Sequence, residues 1–277
     1  MSIETPYDFL DSSTQPVSKT LLLGLAGPTG SGKTESAMRL ARGLVGSTGR
    51  FCVIDSENRR ALNKKTRYRF DHLDLKPPYS PENYVGAISA GIKAGYGAII
   101  VDSFSHEWEG DGGLHDAADD ILERLSKGDA TVAERILPLA WKEPKSRHKR
   151  FMQTVRTYEI PIIFCLRAEP KIKFVKVFDE KKKRDVTTVV DAGWLPITEK
   201  MFGYEMLIYA LMMADDPGVP VHLKKLEPEF DGMFPLGKQI TEESGARLAA
   251  WARGDAQELP QGTNGQPPTP QPKVDPR

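Results

Sequence analysis

Leu21-Leu22-Leu23-Gly24-Leu25-Ala26-Gly27-Pro28-Thr29-Gly30-Ser31-Gly32-Lys33-Thr34 is the stretch on which the fold class turns. Its first six residues form an apolar run without polar alternation, the pattern of a strand covered on both faces. A glycine-rich turn follows. From Glu35 to Val45, the apolar residues Ala37, Leu40, Ala41 and Leu44 recur at helical spacing. A buried strand, a glycine-rich turn and a helix in succession open a parallel α/β unit.

The alternation repeats downstream. Phe51–Ile54, Ala98–Val101 and Pro161–Leu166 are short apolar runs that predict further buried strands. Ser80-Pro81-Glu82 opens a predicted helix through Ile92, with proline in the first turn, where its missing N–H costs nothing. Asp116–Leu125 and Ser146–Tyr158 also read as helices. The expected fold is α/β, a mostly parallel, twisted sheet flanked by helices. Beyond Lys171 the texture shifts. Ile172–Phe178 alternates charged and apolar residues, Asp179–Asp185 is a run of charges, and Val186–Val190 is β-rich, which predicts a β-hairpin extension with a charged tip. Further strands are predicted at Tyr204–Met213 and Val221–Leu226, and a last helix at Glu242–Trp251 with Thr241 as its N-cap. The chain thus divides into an N-terminal arm (residues 1–18), one domain (19–254) and a Pro/Gln/Gly-rich tail (255–277) expected to be disordered.

Gly27-Pro28-Thr29-Gly30-Ser31-Gly32-Lys33-Thr34 fits the pattern G-x-x-x-x-G-K-[ST]. Glycines let backbone N–H groups turn inward around phosphate oxygens, and the following helix presents its positive end to the same anion. Lys33 is expected to reach β- and γ-phosphates, and the Thr34 hydroxyl to hold Mg²⁺. Asp102 ends the buried run Ala98–Val101 and is the expected second metal residue, bound directly or through water. A nucleoside triphosphate with Mg²⁺ is therefore the expected ligand pair.

Asp102 is followed by Ser103, where AAA+ proteins usually carry a glutamate that polarises water, so by that comparison the base is expected to come from elsewhere. Phe51-Cys52-Val53-Ile54-Asp55-Ser56-Glu57 offers one, an acid at the end of a neighbouring strand. This stretch, the loop and the Asp102-Ser103 ending together resemble the RecA ATPase core over residues 20–170. The resemblance implies a RecA-type P-loop NTPase that hydrolyses ATP, with Lys33 and Glu57 catalytic and Glu57 at the position of the family's glutamate. Arg167, after the fourth strand, falls where the family often carries a glutamine that senses the γ-phosphate. A cation there would stabilise transition-state charge, in its own subunit or a neighbour's. Glu107 is a rival for the base role. His106 reads as a polar contact or a structural hydrogen-bonder, and Tyr68 lies near the family's adenine-stacking position. Asp102-Ser103-Phe104-Ser105-His106-Glu107-Trp108-Glu109-Gly110 is similar to the minimal RecA-type ATPases of bacteriophages, often labelled AAA-family ATPases. Some of these belong to recombination and single-strand-annealing modules. That similarity implies a homo-oligomer, ring or filament, with recombination proteins as partners. The arm, through Tyr7, Phe9 and Leu10, would dock on a neighbouring subunit or lie loose.

Single-stranded DNA is the partner the resemblance implies. Gly110-Asp111-Gly112-Gly113 falls at a DNA-facing loop of the family, and Lys181, Lys182, Lys183 and Arg184 at the hairpin tip fall at its second DNA loop. Lys142, Lys145, Arg147, His148, Lys149 and Arg150 form a further basic cluster, with Trp141 and Phe174 near these groups. The bland alternatives are a solvated helix face and an edge hairpin blunted by lysines. Lysine plus arginine and aspartate plus glutamate number 38 each, which excludes a generally basic nucleic-acid binder but not a local patch. No apolar run approaches the roughly 20 residues that span a bilayer. The N-terminus lacks a basic leader segment, and Cys52 and Cys165 sit in apolar runs as reduced core residues, so a cytoplasmic protein, in a bacterial host if phage-encoded, is expected. A second class stays open: a nucleotide-gated partner-binding or assembly ATPase without a direct DNA role.

Overall fold

The apolar runs form strands, and the segments between them cover both sheet faces. In a computed structural model that describes residues 20–179 and 183–255, the elements are β1 (Leu22–Gly27), α1 (Lys33–Val45), β2 (Phe51–Asp55), β3 (Asp71–Asp74), α2 (Pro81–Lys93), β4 (Ala98–Asp102), α3 (Ser105–Glu109), α4 (Leu114–Ser126), α5 (Ala130–Ala140), α6 (Lys142–Val155), β5 (Ile162–Asp179), β6 (Arg184–Pro196), β7 (Ile208–Met212), β8 (Pro220–His222), α7 (Pro228–Asp231) and α8 (Glu242–Arg253). Short 3-10 turns occupy Arg60–Lys64 and Phe202–Glu205. The expected arm, nearly all of the tail, and Lys181 and Lys182 lie outside the described residues.

The strand order is β3-β2-β4-β5-β1-β7-β8. β1 pairs in parallel with β5 and β7, β4 with β2 and β5, and β2 with β3. β8 is antiparallel to β7, and β6 is antiparallel to the outer part of β5. The expected α/β architecture, a mostly parallel sheet flanked by helices, is present. β1, β2 and β4 are buried at every residue, as their unbroken apolar runs require. Two apolar layers result. Leu23, Leu25, Leu40, Phe51, Ile163 and Leu248 belong to one, and Leu22, Ile88, Ile99, Phe104, Phe164 and Phe202 to the other.

The local punctuation holds. Ser80 caps α2 by accepting from Asn83 N at 3.2 Å, and Thr241 caps α8 in a capping box with Ser244. The two cysteines are free and buried. The hairpin is real, and β5 enters it without a break. Ile162–Arg167 lies between β1 and β4, and from Ala168 the same strand pairs with β6 as far as Asp179↔Arg184.

Several expected boundaries move. α6 starts at Lys142, not Ser146, and the predicted strand at Tyr204 begins only at Ile208, after a 3-10 turn. The Val221–Leu226 strand shrinks to Pro220–His222. α5, β3 and α3 have no counterpart in the sequence expectation. Among the described residues, no helix is long and apolar enough to cross a membrane.

Candidate functional site

The loop from Gly27 to Thr34 joins the C-terminal end of β1 to the first turn of α1. Open α/β sheets bind ligands in the crevice outside the carboxyl ends of their strands. Gly30 and Gly32 have φ of +84° and +85°, so the loop needs residues without a Cβ. It is braced from behind by the turn before β8, where Gly218 N donates to Ser31 O at 2.9 Å. The first N–H groups of α1 have no partner within the helix, and no side chain caps them.

A cavity of about 580 Å³ opens in front of this loop. Gly27, Pro28, Thr29, Gly30, Gly32, Lys33 and Thr34 line it, and Asp102, Glu57 and Arg167 reach the same space. Ser31, also expected at the site, is instead fully buried beneath the loop. Lys33 Nζ donates to the carbonyls of Gly27 and Pro28 at 2.8 Å each. Burial lowers its pKa, against nearby Asp102 and Glu57, which raise it. This ammonium is stored on carbonyl dipoles that an anion in the loop can replace.

The Thr34 hydroxyl donates to Asp102 Oδ2 at 2.7 Å. Burial pushes the Asp102 carboxyl up to about 6, against the Thr34 bond, which lowers it. Two hard oxygen donors side by side at the edge of an anion cradle suit Mg²⁺. The register Asp55↔Asp102 in the parallel β2/β4 pair fixes the carboxylate beside the end of β2. The peptide that follows, Asp102–Ser103, is cis. Ser56 ties the strand ends together, donating to Ser103 O at 2.8 Å and accepting from Ser103 N at 3.0 Å.

Asp55 does not face the cavity. It accepts from the backbone N–H groups of Glu57 at 2.7 Å and Ala61 at 2.8 Å, and His72 Nε2 lies 3.1 Å away. That cap shapes the turn that presents Glu57. Glu57 Oε1 accepts from Arg167 Nε at 2.9 Å, and its Oε2 lies 3.2 Å from Arg60 Nη1. Burial raises the Glu57 pKa, but the hydrogen bond and charge of Arg167, with Arg60, outweigh it and leave the carboxyl below its ordinary value. Arg167 itself is held at its backbone. Ser105 Oγ accepts from Arg167 N at 2.9 Å and donates to Ile197 O at 2.7 Å, so one buried hydroxyl joins both roots of the hairpin.

Other expected site residues do not assemble here. Glu107, the rival base, is fully buried and faces α6, where His148 Nδ1 lies 2.9 Å from Oε1. It cannot reach a solvent water in the cavity. His106 bonds Ser56 Oγ at 2.8 Å and packs on Tyr79, the structural option. Tyr68 is buried, donates to Glu35 Oε1 at 2.7 Å and does not line this cavity. Gly110–Gly113 is a tight turn packed on Pro78 and Tyr79, with Gly113 N bonded to Gly110 O at 2.7 Å, not a free loop. Of the basic cluster, His148 is buried and Arg147 forms a bidentate pair with Glu82 at 3.1 and 2.6 Å, while Lys142, Lys145, Lys149 and Arg150 are exposed. Lys183 and Arg184 sit exposed at the described edge of the hairpin tip.

Sequence reasoning missed three functional elements. Arg60 stands three residues after Glu57, an ion-pair spacing that was there to be found. Ser105 carried no signal. Glu35, an acid in the first turn of α1, is neutralised by Lys64 at 2.9 Å and Arg67 at 2.8 Å, so it does not repel an anion from the loop. Compared with known proteins, the chain matches no protein-family model and no curated relative.

Proposed function

We propose that this chain is a RecA-type, Mg²⁺-dependent P-loop ATPase acting on single-stranded DNA in recombination, annealing or repair, as a homo-oligomer with recombination proteins as partners. The observation that carries the reading is the meeting of Lys33, Thr34, Asp102, Glu57 and Arg167 around one cavity at the strand ends. Apart from the adjacent Lys33 and Thr34, these residues are far apart in sequence, and each has a task in phosphoryl transfer to water.

Lys33 leaves the Gly27 and Pro28 carbonyls for β- and γ-phosphate oxygens, joined by the loop N–H groups. Thr34 and Asp102 would hold Mg²⁺, which would supply charge neutralisation at the phosphates. Glu57 accepts a proton from water as the water oxygen bonds to the γ-phosphorus. The bond from that phosphorus to the β–γ bridging oxygen breaks, leaving ADP and inorganic phosphate. Arg167 stabilises the charge that gathers on the γ-phosphoryl oxygens.

The DNA part of the reading is supported by the hairpin. Phe174 and Phe178 are 70% and 60% exposed and share one ribbon face with Lys176 between them. Exposed aromatics interleaved with cations suit stacked bases and phosphates. The same ribbon favours a second reading. Val177 on the opposite face is also exposed, and apolar groups on both faces fit a protein partner of a nucleotide-gated assembly ATPase.

Steady-state ATP hydrolysis with and without single-stranded DNA, at low and moderate salt, tests both, with Lys33→Ala as the blank. Stimulation by DNA that weakens with salt and vanishes in the blank is the expected result. Turnover indifferent to DNA overturns the DNA role and favours the partner-binding ATPase. Absence of ATP binding overturns the nucleotide reading altogether.

A further inference from the structure

Both carboxylate oxygens of Glu57 are engaged by guanidinium groups, Oε1 by Arg167 and Oε2 by Arg60. The side chains are layered. Glu57 is 14% exposed, whereas Arg60 and Arg167 are 57% and 45% exposed. All three line the cavity that holds Lys33 and Asp102. Arg60 opens the Arg60–Lys64 turn, which the Asp55 carboxylate pins through Ala61 N, so its backbone cannot drift from Glu57. A carboxylate paired on both oxygens is a poor acceptor for a proton from water.

A terminal phosphate carries more charge than a carboxylate and offers three oxygens to planar guanidinium donors. We infer that Arg60 is a second contact for the terminal phosphate of a bound nucleoside triphosphate, and that Arg60 and Arg167 together hold Glu57 away from the attacking water until that phosphate draws them off. The inference rests on the ATPase reading and adds to it a trigger: the substrate's last phosphate frees the base that will cleave it. A diphosphate lacks that terminal phosphate and would leave the clamp closed. Arg60 thereby becomes a residue that distinguishes ATP from ADP.

The test is the affinity of the full chain for ATP, supplied as a non-hydrolysable analogue, and for ADP, each with Mg²⁺, by equilibrium dialysis. Arg60→Gln is expected to weaken ATP about tenfold or more, the scale of one lost charge-assisted bond, and to leave ADP within about twofold. Arg60 is largely exposed, so the variant is expected to fold. Glu57→Gln is the independent arm. A neutral amide holds the arginines less firmly, so ATP binding tightens several-fold while hydrolysis falls. Equal effects of Arg60→Gln on both nucleotides, or no effect, overturn the phosphate contact. ATP affinity that is unchanged or weaker in Glu57→Gln overturns the clamp. Parent protein that binds both nucleotides in those cases keeps the nucleotide reading intact; parent protein that binds neither removes both.

Discussion

Thr34 and Asp102 meet in a 2.7 Å hydrogen bond although 68 residues separate them in the chain. The contact exists because β5 is inserted between β1 and β4, which sets the loop and the acid on either side of one strand end. Sequence distance is irrelevant once the register Val101↔Phe164 and Leu25↔Cys165 is fixed.

Asp102→Asn keeps the shape and the Thr34 bond but removes the charge. We expect nucleotide affinity in Mg²⁺ to fall at least tenfold, and affinity in a chelator to stay as in the parent. Binding measured with and without Mg²⁺ gives both numbers. A variant that still responds fully to Mg²⁺ takes Asp102 out of the metal site.

Gly32 and Gly30 share a left-handed backbone, but their surroundings differ. A Cβ on Gly32 would lie 2.7 Å from Gly218 N, whereas one on Gly30 meets only Ala214 Cβ at 4.0 Å. Gly30→Ala should cost about 1 kcal/mol, the conformational term alone. Gly32→Ala should cost more than about 2 kcal/mol, because backbone must move and the Ser31–Gly218 bond is lost with it. Urea unfolding of the pair decides the matter, and equal losses would mean that the turn before β8 does not brace the loop.

Ser105→Ala deletes the hydroxyl that serves both hairpin roots. Two buried bonds go, an expected loss of about 1–3 kcal/mol. The specific signature is faster hydrogen exchange at the Arg167 amide with little change in central β1. Protection at Arg167 that survives the substitution would show that pairing to β1 alone secures it.

Glu107 carries a pH signature. Burial raises its carboxyl pKa, and the His148 bond only partly opposes this. The folded state therefore holds the Glu107 proton to higher pH than the unfolded chain. Stability from this group is largest below its ordinary value near 4.5 and declines as pH rises from there through the raised folded value. Glu107→Gln has no proton to lose. The Tm of the variant minus that of the parent should grow as pH rises from about 4 to 7; a flat difference would mean that Glu107 binds its proton equally well in the folded and unfolded chain.

Much of this molecule was legible in its sequence, for identifiable reasons. β1, β2 and β4 are covered on both faces, and their sequences show it as unbroken apolar runs. The Lys33-Thr34 pair stood out through its spacing in the glycine-rich loop and Asp102 as the acid ending an apolar run, and the fold brings Thr34 and Asp102 together. β3 was hidden because Asp71-His72-Leu73-Asp74 is an edge strand facing water at alternate residues, and its charges look like a loop. α5 was hidden by Pro138, which reads as a break but sits in the last turn of the helix. Glu107 misled because it follows Asp102 by five residues, whereas its burial is decided by His148 on α6, 41 residues later. No local pattern could reveal Ser105, since its partners Arg167 and Ile197 are brought to it only by the folded hairpin.

β5 passes without interruption from the sheet centre, where its Arg167 meets Glu57, into twelve residue pairs with β6. Such a ribbon is an arm roughly 35 Å long. Its root is the Ser105–Arg167–Ile197 knot, and Lys183 and Arg184 lie exposed at its described far edge. A five-degree tilt at the root moves that edge by about 3 Å over such a length. A displacement at the root would therefore be amplified at the far edge, by a factor set by the length of the hairpin and reduced by the irregularity between Lys171 and Ile172. Shortening the ribbon by whole residue pairs would change its stroke while leaving the cavity chemistry intact.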